Sequence, residues 1–144
     1  GRAREGAELA RLLNERLDAM QEQVDTLREL VPQMLAGQRQ KILDRCAEMQ
    51  IELDPQRLEQ ECVLLAQKSD VAEELDRLNT HMLEVRRVLK AGGAAGRRLD
   101  FLMQELNREA NTLGSKAFDP RSTQAAVTLK VLIEQMREQV QNIE

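Results

Sequence analysis

Apolar residues recur along this chain at alternating steps of three and four. Leu13, Leu17, Met20, Val24, Leu27, Val31 and Met34 set the rhythm, the a/d pattern of a helix that buries a narrow seam, held for about three heptads. Apolar residues resume at Ile42, Leu43, Cys46 and Met49, so the spacing predicts helix to about Met49. Pro32 lies inside the pattern and lacks a backbone N–H, which predicts either a kink or a fresh helix start. Asp54-Pro55 then reads as N-cap and first helical residue, opening a short helix through Leu58, Cys62, Leu65 and Ala66. Ser69 is expected to cap the next helix, whose seam is Val71, Leu75, Leu78, Met82, Val85 and Leu89. The run Ala91-Gly92-Gly93-Ala94-Ala95-Gly96 breaks it.

Residues 96–116 carry three distinct sides at helical spacing. Leu99, Leu102, Met103, Leu106, Ala110 and Leu113 form an apolar stripe. Asp100, Gln104, Asn107 and Asn111 form a second side, and Glu105, Glu109 and Lys116 a third, with Arg108 and Thr112 beside it. Asn competes for backbone hydrogen bonds and costs a few tenths of a kcal/mol in mid-helix, so two of them mark a surface with a use beyond solvation. Ordinary i,i+3 and i,i+4 charge pairs are the alternative for Glu105, Arg108 and Glu109. Gly114 and Ser115 are expected to close this helix. Asp119-Pro120 opens the last, with Leu129, Ile133, Met136, Val140 and Ile143 as its seam.

The pattern gives five or six helices and no strand. The fold class is all-α: elongated helical hairpins or a bundle with coiled-coil-like seams, packed within the chain or between copies, which favours an oligomer. Two regions make one structural unit, a long N-terminal helix over 1–52 and a helical region over 53–144.

Composition sharpens this picture. Among 144 residues there are two Phe, no Tyr and no Trp, so the core is built from Leu, Val, Ile, Met and Ala, and the scarcity of Gly and Pro fits long helices. No apolar run approaches the roughly 18–20 residues of a membrane span. Cys46 and Cys62 stand apart without a partner at ligand spacing; two free thiols and no visible signal peptide read as a cytoplasmic chain. The first residue is Gly1 rather than Met, which leads to the expectation of a fragment or a processed chain.

The net charge of −4 gives no bulk attraction for nucleic acid, but its distribution is uneven. Arg86, Arg87, Lys90, Arg97 and Arg98 place five cations around the glycine break with no acid between them. Forked Arg donors beside open glycine backbone suit phosphate, although cations at a helix C-terminus are also favoured by its dipole. No aromatic side chains interleave with them, so base stacking is not indicated. The one histidine, His81, shares a flank of its helix with Glu74 and Arg77. Seven residues, roughly 10 Å of rise, separate Glu74 from His81, too far for a compact metal pair; Glu105 or Glu109 from a neighbouring helix would have to complete one. No nucleophile elbow, Walker loop, zinc spacing or dinucleotide fingerprint appears, so no small organic cofactor is expected.

Long strings of this sequence resemble the C-terminal half of the YicC/YloC family of bacterial proteins. They are Arg4-Glu5-Gly6, Asp70-Val71-Ala72-Glu73-Glu74-Leu75-Asp76-Arg77-Leu78 with His81, Gly96-Arg97-Arg98-Leu99-Asp100-Phe101, Gln104-Glu105, Asn107-Arg108-Glu109, Asn111-Thr112, Ser115-Lys116 and the terminal stretch from Ile133 to Glu144. The resemblance implies a metal-dependent endoribonuclease that acts on RNA as a ring-like homo-oligomer, a hexamer in the full-length family, with a role in bacterial RNA turnover and stress survival. It also implies an N-terminal region of mixed helix and sheet that this sequence does not contain. By position in the matching strings, Glu74, Glu105 and Glu109 would hold a divalent ion, Mn²⁺ or Mg²⁺. His81 and Arg108 would assist the displacement. Arg77, Arg86, Arg87, Lys90, Arg97, Arg98 and Lys116 would meet RNA, with Asp100, Gln104, Asn107 and Asn111 as a further polar face. The competing reading is a non-catalytic helical scaffold or RNA-binding adaptor, and a weaker one a purely structural coiled coil.

Overall fold

The computed structural model describes residues 2–142; Gly1 and Ile143, the last position of the fifth apolar stripe, lie outside them. The described residues form five helices and no strand: α1 (Arg2–Glu48), α2 (Pro55–Lys68), α3 (Ala72–Ala91), α4 (Gly96–Lys116) and α5 (Pro120–Gln141). The all-α expectation holds. The seams close on one another within one chain: the first two-thirds of α1 packs beside α3 and α5, and α4 packs beside both of these from the far side. Arg28 to Asp76 and Asp18 to Arg86 join α1 to α3, and Glu74 to Lys116, Arg77 to Glu109 and Glu84 to Arg98 join α3 to α4; numbers rise on one helix as they fall on the other, so both pairs run antiparallel. This is a four-helix bundle, with the end of α1 and all of α2 forming an arm beyond it.

The heptad positions do what their spacing predicts. Leu13, Leu17, Met20, Val24, Leu27 and Met34 are buried, with Val31 partly so. Burying a Leu or Met side chain stabilises by about 1.5–3 kcal/mol, and a continuous run of them holds α1 as one helix through Pro32. Neither a fresh start nor a break in the helix occurs there. On α4 the stripe is wide rather than narrow: Leu99, Leu102, Met103, Leu106, Ala110 and Leu113 are all buried, because α4 touches both α3 and α5.

Helix ends follow the punctuation with two corrections. The Asp54 side chain accepts from the Gln56 amide, and Asp119 forms a capping box with Ser122, satisfying amides that a helix start leaves without partners. Ser69 does not cap α3. It ends α2, where its hydroxyl donates to the Leu65 carbonyl, while the Asp70 carboxylate accepts from the Ala72 amide at the start of α3. Gly114 does not end α4, which runs on to Lys116; a Cβ at Gly114 would make an ordinary contact with that of Ala126, 3.7 Å away. Gly92 and Gly93 have φ of 71° and 80°, the left-handed backbone that only glycine adopts without strain, and they turn α3 into α4.

Candidate active site along the seam of α3 and α4

Two of the acids singled out in the sequence, Glu74 on α3 and Glu109 on α4, are buried. A buried carboxylate needs a compensating partner, because removing an ion from water costs several kcal/mol. The facing helix supplies it in each case. Lys116 Nζ donates to Glu74 Oε1 at 2.7 Å and to the Asp70 carbonyl at 2.9 Å. Arg77 Nε donates to Glu109 Oε1 at 2.8 Å, and its guanidinium also reaches Glu73 at 3.4 Å and Glu74 at 3.9 Å. The hydrogen bond to Glu109 holds the Arg77 guanidinium above its ordinary pKa, against the opposing effect of desolvation. Further along the seam Glu84 pairs with Arg98 at 3.3 Å and with Arg87 on its own helix. Chiefly through Arg87, its carboxyl is held below the usual carboxylate range. The stabilisation from this depressed group is therefore complete above the unfolded-state pKa and is lost as pH falls through the folded one.

The cross-helix pairs alternate in sign: acid to base at Glu74–Lys116, base to acid at Arg77–Glu109, acid to base at Glu84–Arg98. Each of these bonds joins one level of α3 to one level of α4, so together they tie the two helices in a single register. Between the second and third pairs lies one level with a different character. His81 is one turn from both Arg77 and Glu84 on α3, and Glu105 is one turn from Glu109 on α4. Both are half-buried, and neither takes part in the ion pairs that fasten the levels on either side. An imidazole and a carboxylate thus share a flank of the bundle with no cation neutralising the acid among the described residues.

The remaining candidates fall into three groups. Arg86 is committed to α1, donating to Asn14 at 2.8 Å and Asp18 at 2.7 Å. Arg98, besides Glu84, stacks over the Phe101 ring at 5.6 Å, the cation–π distance. Lys90, Arg97 and Arg108 are exposed and enter no ion pair among the described residues, so of the five cations at the glycine turn, Lys90 and Arg97 are those available to an anion. Asp100, Gln104, Asn107 and Asn111 lie on the other flank of α4, about half a turn from Glu105 and Glu109. Gln104 donates to Asp100 at 3.2 Å, and both Asn side chains are exposed. This face is separate from the α3–α4 seam.

A divalent ion needs several oxygen ligands converging on one point. Glu74 and Glu109 are instead engaged by Lys116 and Arg77, and no group of three or more His, Cys, Asp or Glu is placed to hold a metal ion among the described residues. Within one copy of this chain, Glu74, Glu105 and Glu109 do not make a metal centre. Glu74 Oε2 is buried and has no hydrogen-bond partner, the one unsatisfied oxygen of the paired acids.

The partners that the residue patterns did not point to are Asn14 and Asp18, which hold Arg86, and the Asp70 carbonyl, which accepts from Lys116. Glu84 and Glu73 had a local signal, the i,i+3 spacing of the first to Arg87 and the i,i+4 spacing of the second to Arg77. Removing Arg77 leaves Glu109 buried without its cation. Because Arg77 itself is 47% exposed, water replaces part of the bond, and Arg77→Ala is expected to lower the urea midpoint measurably without unfolding the domain. Arg11→Ala, whose partners Glu8 and Glu15 are 57 and 50% exposed, is expected to leave the midpoint nearly unchanged; urea denaturation of both variants makes the comparison.

A family model described as endoribonuclease YicC-like, C-terminal, matches residues 27–144. The chain belongs to the YicC-like family. It is 55% identical over 143 residues to a probable endoribonuclease YicC of Haemophilus influenzae, an alignment covering 99% of this chain and 50% of that protein. A second relative, a probable endoribonuclease YicC of Clostridioides difficile, is 34% identical over 146 residues, again 99% of this chain and 50% of the relative. The chain thus spans about half the length of these YicC relatives, and the strings that carry the resemblance contain the Glu74–Lys116 and Arg77–Glu109 pairs. No helix of the described residues is long and apolar enough to cross a membrane.

Proposed function

We propose that this chain is the C-terminal half of a cytoplasmic endoribonuclease that cuts RNA as a homo-oligomer, with His81 and Glu105 as the groups that handle protons at the scissile phosphate. The supporting observation is the level of the α3–α4 seam that carries an imidazole on one helix and a carboxylate on the other, both outside the ion pairs on either side, in a chain closely similar to proteins named probable endoribonucleases. Cleaving a phosphodiester requires a proton taken from the attacking oxygen and one given to the leaving oxygen, the work His and carboxylates do as general base and acid. Lys90 and Arg97 lie nine and eight residues along their helices from His81 and Glu105, about 12–14 Å of rise. They would fix the strand through its phosphates, while the exposed Arg108 assists from α4. Arg77 and Lys116 act indirectly, by positioning the seam.

Metal dependence belongs to this reading as well, with a qualification drawn from the geometry. The oxygens needed around Mn²⁺ or Mg²⁺ would come in part from another copy or from the half of the full-length protein that this chain does not span. A non-catalytic RNA-binding adaptor is the second reading, favoured by the engagement of Glu74 and Glu109 in structural pairs.

Labelled RNA incubated with full-length protein separates the two. Cleavage in Mn²⁺ or Mg²⁺ that stops on chelation is expected; RNA bound but left intact with every divalent ion identifies the adaptor. Binding should weaken with salt, and the double variant Lys90→Ala/Arg97→Ala should lose roughly 0.7 from the log–log salt slope for each single-strand phosphate contact removed. An unchanged slope would clear those two residues of any part in RNA binding.

A further inference from the structure

Leaving a phenylalanine in water forgoes one of the larger apolar gains a core offers. The chain has two, and they are used differently. Phe118, just past α4, is half-buried and lines a small cavity with Leu27, Val31 and Met34 at the end of the bundle. Phe101 stands outward from α4 and is 47% exposed. The Arg98 guanidinium lies over its ring, 5.6 Å from the centroid, and Glu84 on α3 holds Arg98 at 3.3 Å. An aromatic braced from behind and open to solvent is a platform for another flat group.

Its position decides which flat group. Arg97 stands four residues before Phe101 on α4, Glu105 four after it and Arg108 seven after it. Arg97 and Glu105 each lie about 40° from Phe101 around the helix and about 6 Å from it along the axis, and Arg108 about 20° round and about 10 Å on. Both arginines are exposed and enter no ion pair among the described residues. The cations of the glycine turn have no aromatic between them in sequence; the next turn of α4 supplies one beside Arg97. A strand anchored by a phosphate at Arg97 and reaching Glu105 passes over Phe101. Between two phosphates of such a strand lie a sugar and a base, and every base has a face that stacks on an aromatic. An apolar protein surface fits less well, because covering Phe101 would also desolvate two cations without giving them a partner.

We propose that Phe101 is the stacking residue for the base between the phosphate anchored at Arg97 and the scissile one. The inference rests on the RNA reading, which the nuclease and the adaptor share, and its test keeps the two failures apart. Fluorescence anisotropy of a labelled oligouridylate, with chelator present so that the strand stays whole, is recorded with full-length wild type, Phe101→Leu and Phe101→Trp. Phe101→Leu is expected to bind about five- to a hundredfold more weakly, the worth of one stacked base, and Phe101→Trp as tightly as the wild type. On an abasic ribose-phosphate strand of the same length the three proteins should bind alike, since their charges are the same. Leucine suits an exposed helix position, so the variants should melt with the wild type. Phe101→Leu that binds oligouridylate as tightly as the wild type, or that loses as much on the abasic strand, overturns the stacking and leaves the RNA reading standing. A wild type that holds neither strand overturns both.

Discussion

Glu105→Gln in the full-length protein is expected to slow RNA cleavage by about a hundred- to ten-thousand-fold, the usual contribution of one group in general acid–base catalysis, with little change in melting temperature. The expectation follows from the pairing pattern rather than from the acid alone. Glu74 and Glu109 are tied to Lys116 and Arg77, so neutralising either disturbs the packing of α3 on α4 and any loss of activity would be ambiguous. Glu105 is half-buried one turn away, outside those pairs, and Gln keeps its shape while removing the charge and the ability to take a proton. Cleavage at the wild-type rate would remove Glu105 from the chemistry and leave the adaptor as the better account.

Leu106→Ala is expected to cost about 2–5 kcal/mol, the range for truncating a fully buried leucine. Leu106 is 0% exposed, near the middle of the helix that α3 and α5 both pack against, so no single neighbour can close the space it leaves. A domain of this size is stable by about 5–15 kcal/mol, and the variant should unfold at visibly lower urea concentration. Phe101 is on the same helix, larger, and 47% exposed; Phe101→Ala should cost less than half as much. Equal losses at the two positions would mean that the buried face of α4 is misassigned.

What could be read from the sequence divides along physical lines. Seam residues such as Leu17, Leu78 and Ile133 announce themselves because burial imposes a period on the residues of one helix, and Asp54-Pro55 and Asp119-Pro120 mark helix starts by local backbone chemistry. Ser69 was less legible, because a hydroxyl can satisfy a carbonyl behind it as readily as an amide ahead, and Asp70 next door was the stronger acceptor for the α3 amide. The candidate site was legible in its membership but not in its pairing. Arg77 and Glu109 are 32 residues apart and Lys116 and Glu74 are 42 apart, and only the register of α3 against α4 decides that they bond. A list of acids and bases with helical spacing suits a metal site, a phosphate site or an ion-paired seam equally well. Three-dimensional packing assigned Glu74, Glu109, Arg77 and Lys116 to the last of these, and Arg86 to a bond with α1. The same limit applies to the arm, whose apolar positions follow the rhythm of the buried seams and yet stand open in one chain.

His81 offers the most direct measurement. Cleavage of labelled RNA and thermal melting, recorded on the same preparations of full-length wild type, His81→Ala and Arg77→Ala, separate chemistry from support. Placing the reaction at the unfastened level of the α3–α4 seam predicts that His81→Ala melts like the wild type but has lost cleavage, whereas Arg77→Ala melts lower. Undiminished cleavage by His81→Ala would contradict it.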